Sequence, residues 1–103
     1  MDKPLVSVCS PTYNNEDTIE ETVSSVLRQT WKNLELVIVD DGSSDRTYEL
    51  VTELAAEDKR IRLYRNGKNL GMAGNWNRCL SLCRGDYLKL LCGDDLIHET
   101  LLE

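Results

Sequence analysis

Residues Leu34-Glu35-Leu36-Val37-Ile38-Val39-Asp40-Asp41-Gly42-Ser43-Ser44-Asp45 decide how this chain folds. The stretch opens as a short run dominated by branched apolar residues, then breaks into carboxylates, a glycine and two serines. A parallel strand covered on both faces is apolar along its length and ends where a polar loop starts the next helix. In an open α/β sheet such carboxyl ends hold the ligand, because loop amides and helix N-termini converge there. Two further runs end the same way: Val6-Ser7-Val8-Cys9-Ser10 before Pro11-Thr12-Tyr13-Asn14, and Tyr87-Leu88-Lys89-Leu90-Leu91-Cys92 before Gly93-Asp94-Asp95. Three polar strand ends imply one site.

Outward from that stretch, strands and helices alternate. Leu5 to Ser10 reads as the first strand, with Pro11 expected to stop it by removing a backbone donor. Thr12 to Asn15 is then a loop, and a helix follows with Asn14 or Asn15 as its cap, acids at Glu16 and Asp17, and an apolar face of Ile19, Val23, Val26 and Leu27. Trp31, Lys32 and Asn33 turn into the central strand. Beyond Asp45 a second helix carries Tyr48, Val51, Leu54 and Ala55 on one side and ends at Asp58 and Lys59. Ile61-Arg62-Leu63-Tyr64 alternates as a half-exposed edge strand does. A glycine-bearing loop, Arg65 to Gly71, leads to a third helix from about Met72 to Cys83, with Met72, Trp76, Cys79, Leu80 and Cys83 expected to face inward. Arg84-Gly85-Asp86 closes it and feeds the fourth strand.

The order β-α-β-α-β-α-β demands parallel pairing with right-handed crossovers. The expected fold is therefore α/β: a Rossmann-like, doubly wound, mainly parallel sheet, forming one domain over residues 1–103. Leu96 to Glu103 starts a new helical pattern that stops with the sequence, so the chain is expected to be a truncated part of a longer one. Apolar surface left uncovered by such a truncation would favour self-association or a mobile C-terminal end.

The chain has 103 residues, 41% of them hydrophobic and 29% charged, with a net charge of −6. That balance argues against a nucleic-acid backbone or an anionic membrane surface as the main partner. Cys9, Cys79, Cys83 and Cys92 lie in apolar segments without CxxC spacing, as neutral core thiols of a reducing compartment do. Charged residues interrupt every apolar run, so no membrane span or signal peptide is expected and the cytoplasm is the expected location.

Several chemistries find no support. No GxGxxG follows the first strand and no GxxxxGK[ST] loop occurs. The single histidine, His98, has no partner for a nucleophilic triad. Asp94-Asp95 can do two jobs, because adjacent side chains past a strand end diverge. One carboxylate could accept from a sugar hydroxyl while the other ligates Mg²⁺ or Mn²⁺, or either could simply cap the segment from Leu96. Asp40 is expected to hold its own loop through backbone amides. Asp41, one residue further out, could accept an N–H from a base edge. Tyr13 offers a flat face for stacking or a packed loop aromatic. Lys68 and Arg78 are candidates to meet phosphate charge, or exposed cations.

Taken in order, Pro11-Thr12-Tyr13-Asn14, Val39-Asp40-Asp41-Gly42-Ser43-Ser44-Asp45, Asn69-Leu70-Gly71, Asn77-Arg78, Arg84-Gly85-Asp86-Tyr87 and Gly93-Asp94-Asp95 resemble the family 2 glycosyltransferases, over essentially the whole chain. The resemblance implies a GT-A fold and, for this chain, the donor-binding half of an inverting transferase that moves a sugar from a nucleotide-diphospho-sugar to an acceptor hydroxyl. Pro11 and Tyr13 would hold the base, Tyr13 by stacking, and Thr12 and Asn14 would belong to the same nucleotide-sugar site. Asp41 would contact the base edge, uracil if the donor is a UDP-sugar. Asn77 and Arg78 would face the donor, Asp94 would bond the ribose or the sugar, and Asp95 would ligate Mn²⁺ or Mg²⁺ at the diphosphate. The acceptor would be a saccharide or a lipid-linked sugar in polysaccharide biosynthesis, met at the cytoplasmic face of the membrane by the full-length enzyme. Cys92 stands where many members place the first acid of a DxD motif. The family's catalytic base lies in the C-terminal half, beyond Glu103, so the chain alone is expected to be inactive. A non-catalytic sugar-nucleotide-binding or regulatory module is the alternative.

Overall fold

In the computed structural model, which describes residues 4–30 and 32–91, seven elements alternate. They are β1 (Val6–Thr12), α1 (Ile19–Leu27), β2 (Leu34–Asp40), α2 (Thr47–Glu57), β3 (Ile61–Arg65), α3 (Gly71–Leu82) and β4 (Tyr87–Leu90). The sheet order is β3-β2-β1-β4 and every pairing is parallel, with Val8 opposite Leu36 and Ile38 opposite Leu63. The α/β, doubly wound expectation is met.

The pleat sends alternate residues to opposite faces. Val6, Val8, Leu34, Leu36 and Ile38 meet Ile19, Val23 and Val26 of α1 and Val51 of α2 in the larger core. Cys9, Val37 and Val39 face the other way, against Cys79 of α3. All seven residues of β2 are buried, which is why the segment is a near-continuous apolar run broken only by Glu35 before Asp40.

Three expectations need correction. Pro11 does not end β1; the strand runs through it to Thr12, paired with Val39 and Asp40. The Thr12 carbonyl accepts from the Asp41 N–H on the β2 side, and the Cys9 carbonyl accepts from Leu91 on the β4 side. Alternation therefore points the Pro11 nitrogen toward β4, past the last β1–β4 pair, Cys9 with Leu90. Among the described residues the β1–β4 pairs end before Pro11, so proline is tolerated there. Neither Asn14 nor Asn15 caps α1 by its side chain: Thr18 is the cap residue, and the Asn15 carbonyl accepts from Thr18 and Ile19. On α3 the buried residues are Asn75 and Cys79, whereas Met72 and Leu80 are exposed. A polar side chain occupies the inner stripe because it bonds the sheet, and an apolar period cannot reveal that.

The amino end of the sheet is tied by Glu35. Its carboxylate accepts from the Ser7 hydroxyl, from the Arg84 N–H at 2.7 Å and from Arg62 Nη1 at 2.8 Å. Burial alone pushes the Glu35 carboxyl up, but the Ser7, Arg84 and Arg62 donors outweigh it and hold it below the ordinary value. Gly85 follows at the closest approach of the α3–β4 connection to β1. Its N–H donates to Ser7 Oγ at 2.7 Å, and a Cβ placed there would meet Ser7 N at 2.7 Å and Leu5 O at 2.8 Å.

Candidate nucleotide-binding site

The opposite, carboxyl end of β1 and β2 is built from two laced loops. Asp40 is buried and holds the turn after β2: its carboxylate accepts the Ser43 hydroxyl and, at 2.9 Å, the Ser43 N–H. Arg65 Nε stands 3.4 Å from the same carboxylate. Gly42 takes φ +78°, a left-handed conformation that glycine adopts without strain. Asp40 is thus the loop holder expected from its position.

The β1–α1 loop is stitched onto that turn. Backbone N–H groups of Asn14, Asn15 and Glu16 donate to Ser43 Oγ (2.9 Å), Thr47 Oγ1 (2.7 Å) and Asp45 Oδ2 (3.2 Å). In return, Asn14 Oδ1 accepts from the Ser44 N–H at 2.9 Å. Asp45 also accepts from the Thr47 hydroxyl and N–H. Burial acts to raise its carboxyl, and these donors bring it below the ordinary range. The serines and acids of the opening stretch are mostly loop cement.

Asp41 does more. Only 2% exposed, it crosses to the start of α3, where Oδ1 accepts from the Leu70 N–H at 2.7 Å and Oδ2 from the Gly71 N–H at 3.0 Å. A carboxylate at a helix N-terminus satisfies amides that have no partner within the helix. Asn66 Nδ2 adds a third donor, 2.8 Å from Oδ1. Asn69 Nδ2 reaches the Asp41 carbonyl at 3.1 Å.

Between these loops and α3 lies a cavity of about 440 Å³, lined by Pro11, Thr12, Tyr13 and Asn15 from the first loop, Asp41, and residues of α3 and its approach that include Asn69, Asn75 and Trp76. Tyr13 is 49% exposed, its ring open to a ligand. Among the described residues the lining holds one carboxylate and no cation. Of the site expected from the sequence, Pro11, Thr12, Tyr13 and Asp41 come together here. Asn14 does not line the cavity; its amide is committed to Ser44. Asn77 is exposed on α3. Arg78 lines a separate recess with Asn66, Gly67, Lys68 and Leu70. Asp94 and Asp95 lie outside the described residues, and among the described residues no group of three His, Cys, Asp or Glu side chains could hold a metal.

Sequence reasoning missed Asn66, Asn69, Asn75 and Trp76. Trp76 packs against the smaller core, as its apolar period implies, and also forms a wall of the cavity. The cluster of asparagines around one aspartate was the available signal, since buried amides need fixed partners.

Fold and cavity define a parallel α/β domain with a ligand site at the carboxyl ends of its two central strands, the arrangement in which such sheets hold nucleotides. The profile of glycosyl transferase family 2 matches residues 7–103, and the chain belongs to that family. It is 44% identical, over its full length and 40% of the relative, to an Escherichia coli UDP-Glc:alpha-D-GlcNAc-diphosphoundecaprenol beta-1,3-glucosyltransferase, WfgD. It is 37% identical, again over its full length and 41% of the relative, to an uncharacterised Haemophilus influenzae glycosyltransferase. The chain therefore spans about two fifths of the length of these curated relatives. Among solved structures, S. aureus TarS in complex with UDP matches with a TM-score of 0.86 at 30% identity, over 94% of this chain and 29% of that one. A Pyrobaculum calidifontis mannosyltransferase in complex with GDP-Man and Mn²⁺ matches with a TM-score of 0.83 at 29% identity, over 92% and 29%. These neighbours are GT-A glycosyltransferases.

Proposed function

We propose that residues 1–103 are the nucleotide-sugar-binding half of an inverting glycosyltransferase whose donor is a UDP-sugar. The observation that carries this is the cavity itself: an exposed aromatic face at Tyr13 beside a buried Asp41 with one acceptor position left. A carboxylate offers about four acceptor positions, and three donors occupy Asp41, two on Oδ1 and one on Oδ2. The remaining position suits an imino N–H of the kind uracil presents, with the ring stacked on Tyr13. The ligands bound in TarS complexes, UDP and UDP-GlcNAc, support a uridine nucleotide.

The chain's residues bind and orient the donor. Pro11, Thr12, Asn15, Asn69 and Trp76 form the walls around the position given to the base and ribose. The cavity lining holds no cation among the described residues, so the diphosphate charge is met from beside it. Asp95 would hold Mg²⁺ or Mn²⁺ there, with Asp94 on the ribose or sugar; such an ion stabilises a departing nucleoside diphosphate as a Lewis acid. The Mn²⁺ of the Pyrobaculum neighbour supports that choice of metal.

No described cavity residue is free to act as the base that takes the proton of an acceptor hydroxyl, because Asp41 is committed to α3. That role is assigned outside the described residues. The same feature favours the second reading, a module that binds sugar nucleotides without transferring them. The acceptor would be a saccharide or lipid-linked sugar, as the name of WfgD suggests by analogy. Among the described residues no helix is long and apolar enough to cross a membrane. The free thiols of Cys9, Cys79 and Cys83 suit a reducing compartment, so we place the domain at the cytoplasmic face. Exposed Tyr87, Leu88 and Leu90 on β4 support self-association through that edge.

Calorimetric titration with UDP, with and without Mn²⁺, tests the reading on this chain and on Asp95→Ala. Binding that strengthens with Mn²⁺ and loses that gain in the variant is the expected result. A folded sample that binds no nucleoside diphosphate would overturn it.

A further inference from the structure

A chain of amide hydrogen bonds runs from the sheet to Asp41. Asn75 Nδ2 donates to the Val39 carbonyl at 3.0 Å, and Asn66 Nδ2 donates both to Asn75 Oδ1, at 3.0 Å, and to Asp41 Oδ1, at 2.8 Å. A backbone carbonyl only accepts, so Val39 fixes which end of the Asn75 amide faces the sheet. That leaves Asn75 Oδ1 toward Asn66, which must present its N–H₂ group. Both hydrogens of that group are then used, one for Asn75 and one for Asp41. The polarity of the whole chain is set by one strand carbonyl.

Asn66 is 7% exposed, and its own Oδ1 is buried without a partner. Turning the amide over would present that oxygen to two acceptors and forfeit both donor bonds. Its backbone is pinned as well, the Asn66 N–H donating to the Asp40 carbonyl at 2.9 Å. An unsatisfied buried acceptor in a polar cluster is retained here together with a donor bond to Asp41, the one carboxylate of the cavity among the described residues.

We propose that Asn66 is a positioning residue for donor recognition. By filling the second acceptor position of Asp41 Oδ1, beside the Leu70 N–H, it leaves the one open position on Oδ2. That open position accepts the imino N–H of the base. This rests on the reading of Asp41 given above and adds the group that aims it. Asn66 touches no ligand in this scheme; it acts through Asp41.

The test compares affinity for UDP with affinity for 3-methyl-UDP, which lacks the imino N–H, by calorimetry on the chain and on Asn66→Ser and Asn66→Asp. The aspartate variant keeps the size and replaces the donor with an acceptor. The serine variant keeps a small hydroxyl and adds no charge, and far-UV circular dichroism establishes that each is folded. The unaltered chain should prefer UDP, and both variants should lose about tenfold of that preference, the scale of a charge-assisted hydrogen bond. A wild-type chain indifferent to the methyl group would overturn the base contact and this inference with it. Preference in the wild type that survives unchanged in folded Asn66→Ser would overturn the inference alone. Equal weakening toward both ligands would assign Asn66 a purely structural role and overturn it too.

Discussion

Arg62 Nη1 lies 2.8 Å from Glu35 Oε1 across the β2–β3 pair, with Glu35 nearly buried and Arg62 also donating to the Leu82 carbonyl. Four segments of the chain meet at this pair: β1 through Ser7, β2, β3 and the end of α3. Removing one partner of a buried pair leaves the other's charge uncompensated. Glu35→Ala should therefore cost about 3 kcal/mol at neutral pH, read from urea unfolding. Because Glu35 is held below its ordinary value of 4.5, its contribution is complete above that value. It fades as pH falls through the lower folded value. The urea unfolding midpoint of Glu35→Gln should accordingly depend less on pH below about 4.5 than that of the unaltered chain.

Gly85→Ala should destabilise by about 1–3 kcal/mol, because the added methyl meets backbone of Leu5 and Ser7 that cannot swing aside. Gly67→Ala has open space around its Cβ and serves as the control. Equal melting temperatures for the two variants would contradict the close packing of the α3–β4 connection on β1.

Tyr13→Ala removes a ring that is half in solvent, so stability should move by no more than about 0.5 kcal/mol. Affinity for UDP should fall about tenfold, as loss of a base-stacking aromatic does. An unchanged affinity in calorimetry would remove Tyr13 from the site.

Burial first, and then Cys9 nearby, pushes the Cys83 thiol up to about 11, and Cys9 is displaced upward as well by its hydrogen bond with Cys79. The thiolate is the reactive form. Cys83, half-buried, should alkylate ahead of the fully buried Cys9 and Cys79, yet more slowly than in the urea-unfolded chain at pH 8. Its rate should still be climbing at pH 10. Mass spectrometry of iodoacetamide-treated protein checks the order.

The strands and helices could be read from the sequence because each is patterned within itself: β2 is apolar but for Glu35 and Asp40, and α1 carries Ile19, Val23 and Val26 one turn apart. Asp40 could also be placed, since its bonds to Ser43 are local. Asp41 was expected at the site and it lines the cavity, but its service to Leu70 and Gly71 depends on how two distant loops meet. The same holds for Asn66 and Asn75, whose value lies in one another's company. Pro11 was misread because proline's penalty depends on which side of the strand its nitrogen faces, and that is a property of the sheet. Trp76 packs on the smaller core as its period implies, and its second role as a wall of the cavity was not legible because a wall of a cavity and a wall of a core carry the same helical period.

The course of β1 through Pro11 has a further consequence. Past Cys9 the flank of β1 away from β2 can accept at residue 11 but cannot donate, so a stray strand sliding in beside it finds half of its ladder missing. Proline there works as a guard rail. A strand laid beside β1 at the rim of the cavity can donate to residue 11 but receives nothing from it.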